Sequence, residues 1–94
     1  MIRDIFKQFE DEFLRFEDVK ERPYGNRADL HAFMLLDKLV PGKRDMVSVA
    51  EHDEIWLDVD ASDLEGVATV DQIVKLIRCG VRYDDDTDSL ALFV

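Results

Sequence analysis

The spacing of apolar residues changes period midway along the chain, and that change limits the folds open to it. Ile2, Ile5, Phe6, Phe9, Phe13 and Phe16 recur at steps of three and four, which is the stripe of an α-helix. From Ile55 to Asp60 apolar and polar residues alternate, the mark of a strand with one buried face. A chain that carries both periods, in separate stretches, is expected to be α+β.

The first stripe predicts a long amphipathic helix ending near Arg22, because Pro23 biases the residue before it away from helical angles. Tyr24-Gly25-Asn26 reads as a turn, with Asn26 the expected N-cap of a second helix over Arg27 to Leu39 and Asp29 in its first turn. The centre of that helix, Ala32 to Leu36, is apolar on nearly all sides, which predicts a buried place between helix 1 and a sheet. Pro41-Gly42 ends it, and a basic turn at Lys43-Arg44 follows.

Met46 to Ala50 and Ile55 to Asp60 read as two strands joined by the turn Glu51-His52-Asp53-Glu54. In the second strand Ile55, Leu57 and Val59 are expected to face the core, leaving Trp56, Asp58 and Asp60 on the other face. Ser62 to Gly66 reads as one helical turn closed by glycine, and Thr69-Val70-Asp71-Gln72 is a capping-box start for a third helix that Gly80 closes. Val81-Arg82-Tyr83 and Leu90 to Val94 then flank an acidic turn as a terminal hairpin. The expected architecture is therefore two N-terminal helices followed by ββαββ. Helices would pack on one face of a small antiparallel sheet, in a single domain over 1–94.

Charge is divided unevenly. The chain carries a net charge of −10, and residues 45–94 hold thirteen acids against three bases. Residues 1–22 sum to −2 and residues 23–44 to +2, so the acidity belongs to the second half. Such a field repels nucleic acid and anionic membrane and attracts basic surfaces, so the expected partner is a basic surface of another protein. One cysteine, Cys79, allows no internal disulfide, and charges interrupt every short apolar run near the N-terminus. A cytoplasmic location is the expectation.

Each chemical motif in the chain also has a plainer role open to it. Asp84, Asp86 and Asp88 take the first, third and fifth places of a calcium loop, but Ser89 stands where that loop needs glycine, so a solvated turn is expected. Asp58 and Asp60, with Asp63 and Glu65 after them, resemble magnesium-binding carboxylates of a metal-dependent hydrolase, yet no glycine-rich phosphate loop accompanies them. His31 with His52-Asp53 lacks the rest of a ligand set. Cys79 lies at a helix C-terminus, where the dipole disfavours thiolate. No catalytic residue, metal ligand or cofactor site is expected from these patterns.

The runs Val49 to Asp60, Leu76 to Asp84 and Leu90 to Val94 resemble small acidic phage and prophage proteins of unassigned function. The resemblance implies a setting in the host cytoplasm and a habit of binding host proteins, including nucleic-acid-binding ones whose sites such proteins occupy. Together with the charge, it makes a non-enzymatic interaction module the first expectation, one that blocks or regulates its partner or mimics a nucleic acid. The expected contact residues are Glu51, Asp53, Glu54, Trp56, Asp58 and Asp60, then Asp63 and Glu65, then Asp84, Asp85, Asp86 and Asp88. A homo-oligomeric structural or adaptor domain, self-associating through the apolar stripe of helix 1, is the alternative, and a metal-dependent hydrolase built on the Asp58/Asp60 cluster is the second.

Overall fold

The computed structural model describes residues 2–42 and 45–93. Met1, the basic turn expected at Lys43-Arg44, and Val94 at the end of the expected last strand lie outside the described residues. The elements are α1 (Ile2–Gln8), α2 (Ala28–Leu39), β1 (Val47–Glu51), β2 (Glu54–Asp60), α3 (Val70–Arg78), β3 (Val81–Asp84) and β4 (Ser89–Phe93). Short 3₁₀ turns lie at Glu10–Glu12, Phe16–Asp18 and Ala61–Leu64. The four strands form one antiparallel sheet in the order β1-β2-β4-β3.

The first helix is much shorter than its apolar stripe predicts. It stops at Gln8, and the chain continues through two 3₁₀ turns instead of running helical to Arg22. The physical cause is tertiary: Leu14, at a left-handed φ of 63°, donates its N–H to the Ile77 carbonyl at the end of α3, and Glu12 Oε1 accepts from Arg78 Nε at 2.9 Å. The stripe still faces inward. Ile2 and Phe6 are buried, and Phe9, Phe13 and Phe16 are half-buried against the same core.

The second helix begins at Ala28, and Arg27, not Asn26, precedes it, with no side-chain cap. A buried histidine organises the turn in place of the expected cap. His31 donates from Nδ1 to the Arg27 carbonyl (2.6 Å) and accepts at Nε2 from the Tyr24 N–H (3.2 Å), while its ring packs on Phe16 and Tyr24. Helix α2 packs chiefly on α3, and it is less enclosed than its apolar centre predicts, since Met34 is exposed.

The second half follows its local signals closely. Thr69 and Gln72 form the reciprocal capping box of α3, and Gly80 closes that helix at φ +101°, a left-handed backbone that L side chains rarely adopt. Leu57, Val59, Val81, Leu90 and Leu92 of the sheet bury against Ile73, Leu76 and Ile77 of α3. Cys79 is buried in this core, and burial pushes its thiol pKa up. The opposite face of the sheet carries its own side-chain network.

Candidate interaction surface

Strand order determines what that outer face can do. Strand β4 lies between β2 and β3, so residues far apart in sequence share rows: Val49, Trp56, Ala91 and Arg82 form one, and Asp60, Ser89 and Asp84 another. The β4 members are small. Over Ala91 and Ser89 the longer side chains of the flanking strands can meet, and they do. Trp56 Nε1 donates to Asp84 Oδ2 at 2.6 Å, and Glu54 pairs with Arg82, whose guanidinium also lies 5.0 Å from the Phe93 ring centroid.

Trp56 is thus half-buried in this network, with its one polar atom satisfied by a carboxylate. Asp84 also accepts from the Asp86 N–H and the Thr87 hydroxyl, which shapes the acidic turn into an Asx-type loop. Its carboxyl is held below the usual carboxylate range, first by the Trp56 indole N–H and then by these donors and Arg82. Tyr83 donates to Asp88, and that bond raises the phenol pKa, with burial and the Asp88 charge adding to it.

A bulge brings more acids to the same end of the sheet. Between the Trp56–Ala91 and Asp60–Ser89 pairs, three β2 residues oppose the single β4 residue Leu90. Asp58 donates its backbone N–H toward β1, to the Met46 carbonyl. Asp60 accepts from a backbone N–H of the following 3₁₀ turn, and Asp63 returns the bond to the Asp60 N–H at 2.9 Å. The Asp60 carboxyl is pushed up by partial burial and by the neighbouring charges of Asp63, Asp88 and Asp58. These four carboxylates therefore share one electrostatic environment, although they come from β2, the 3₁₀ turn and the β3–β4 loop.

The twelve expected contact residues do not form one patch. Asp58, Asp60, Asp63 and Asp84 gather with exposed Asp85, Asp86 and Asp88 at the β3–β4 end. Glu51, Asp53 and Glu54 lie at the β1–β2 hairpin, at the other end of the length of β4, roughly 13 Å away at ~3.3 Å per residue. Glu54 is half-buried and committed to Arg82, and Glu65 Oε2 lies 3.4 Å from the Ile2 N–H at the start of α1. Trp56 is turned to Asp84 rather than outward.

Arg82, Tyr83 and Phe93 were missed as members of this surface. The alternation of β3 puts Arg82 and Asp84 on one face, but only the order of strands shows that Glu54 and Trp56 reach them. Among the described residues no three His, Cys, Asp or Glu side chains converge as a metal-ligand set. His31 uses both ring nitrogens within the turn before α2, and His52 stands exposed at the β1–β2 turn beside Glu51. No helix among the described residues is long and apolar enough to cross a membrane. No protein-family model, curated protein or solved structure matches the chain.

Proposed function

We propose that the chain is a non-enzymatic acidic interaction module, of the kind small phage accessory proteins provide, that docks on a basic surface of another protein and blocks or regulates it. The observation that carries this reading is the gathering of Asp58, Asp60, Asp63 and Asp88 into one environment, in which partial burial first and then the charges of the other three raise the Asp60 pKa. Like charges held together cost stability, and a basic partner relieves that cost on binding. The neighbouring Asp84 turn, braced by Trp56 and Thr87, presents Asp85 and Asp86 on a pre-shaped loop, which lowers the ordering cost of association. A basic nucleic-acid-binding surface on a host protein fits this arrangement.

Affinity capture from a host lysate tests the proposal. The native chain is compared with a variant carrying Asn at positions 58, 60, 63, 85, 86 and 88. A specific protein should be retained by the native chain at low salt, be lost at ~1 M salt where the Debye length falls to about 3 Å, and be lost by the variant at either salt. Retention of the same protein by the neutralised variant would show that the carboxylates are not the contact.

A further inference from the structure

We infer that the outer edge of β3 is a strand-addition site for an extended segment of a partner protein that carries alternating apolar and basic residues. The inference rests on the reading of the chain as an acidic module and adds where the partner engages and in what conformation. Strand β3 is outermost in the sheet, and its residues Val81 to Asp84 make no backbone hydrogen bond to any described element except β4. Unpaired strand edges of this kind template the addition of another strand.

A groove of about 800 Å³ runs beside that edge, with α1 as its other wall. Val81 and Tyr83 point to one face of the sheet and Arg82 to the other, yet all three line this groove. Only a groove along the strand's edge, not one lying on either face, meets both kinds of residue. Its apolar part is supplied by Ile2, Phe6, Phe13, Ile77 and Phe93, which suits alternate side chains of an added strand. Its rim carries Asp4, Glu10, Glu65, Asp85 and Asp88 against Arg3 and Lys7, while the charge of Arg82 is engaged by Glu54. The surplus of carboxylates commits the occupant to a basic segment.

The other edge strand is the weaker template. The register of β1 against β2 breaks between Val47 and Val49, and such irregularities blunt an edge, whereas β3 keeps unbroken register with β4. Val81 is fully buried, so the open stretch of the edge is Arg82 to Asp84, about 10 Å long, and an added strand of about three residues pairs with it, with flanking residues reaching the rim.

The probe is a blocked peptide of alternating valine and lysine, about eight residues long so that it overruns β3, titrated at low salt into the labelled full chain and followed by amide NMR. Shifts should centre on Val81 to Asp84 and the groove-facing side of α1. N-methylation of the probe at one alternate set of positions should weaken binding roughly tenfold, about the worth of two lost backbone hydrogen bonds, while the other set leaves it nearly unchanged. The double variant Glu10→Gln, Asp85→Asn should weaken binding several-fold and preserve that alternation. If neither set of N-methyl groups matters, or shifts are confined to Asp58, Asp60 and Asp63, strand addition is overturned and acidic docking stands. Absence of any binding also overturns strand addition, and the lysate capture, which uses no peptide, then judges the broader reading by itself.

Discussion

Trp56→Phe removes the indole N–H that Asp84 Oδ2 accepts at 2.6 Å and keeps an aromatic ring in the row of Ala91. A hydrogen bond to an ionised acceptor is worth about 1.5–3 kcal/mol when buried. Here both partners are half-exposed, and solvent screening reduces the figure to about 1 kcal/mol. At this chain length that corresponds to a fall in Tm of about 4–8 °C. The loss of ring area is separated by a double-mutant cycle with Asp84→Ala, read by urea unfolding and far-UV circular dichroism, because the area term appears in both arms and cancels. The pH dependence has a definite sign. The folded pKa of Asp84 lies below its ordinary value of 3.8, so its contribution is present above that value and is lost as pH falls through the lowered folded value. Coupling should therefore be full at neutral pH and decline below a pH of about 4. Additive effects at neutral pH, within ~0.3 kcal/mol, would refute the role given to this bond.

Gly80→Ala should destabilise by about 1–3 kcal/mol, the cost of a non-glycine residue forced into a left-handed conformation, with the new Cβ also pressing on the Leu14 side chain at 2.9 Å; a thermal melt unchanged within error would contradict it. His31→Phe leaves the Tyr24 N–H and the Arg27 carbonyl without their partner while keeping a ring between Phe16 and Tyr24, so urea unfolding should show a loss of about 1–3 kcal/mol. Asp60→Asn retains an acceptor for the 3₁₀ turn and removes a charge whose folded pKa is raised. That charge costs stability at neutral pH and the cost vanishes as pH falls below the ordinary 3.8, so the variant should match or exceed the native chain at pH 7, by at most ~0.5 kcal/mol, and lose its advantage in acid.

How much was legible follows from the range of each interaction. The α3 boundaries, the glycine closures and both hairpins were readable because capping boxes, left-handed glycines and period-two alternation act within a few residues. The end of α1 was not, since the Ile77 carbonyl that takes the Leu14 N–H and the Arg78 that meets Glu12 lie more than sixty residues on. The α2 start was missed for a different reason: its partners are near in sequence, but only the fold buries the His31 ring against Phe16 and Tyr24, where it takes the Tyr24 N–H and the Arg27 carbonyl in place of a cap from Asn26.

The sequence by itself determined that this is an α+β chain with a near-neutral helical half and an acidic second half, because periodicity and net charge are properties of the residues in order. Which carboxylates stand together was decided by tertiary structure. Insertion of β4 between β2 and β3 places Trp56 against Asp84 and Glu54 against Arg82, and the bulge in β2 helps bring Asp58 and Asp60 into the surroundings of Asp63 and Asp88. The same strand order divides the acids into two ends and leaves β3 with an unpaired edge. Strand order depends on how the whole core closes, and no local pattern in the chain encodes it.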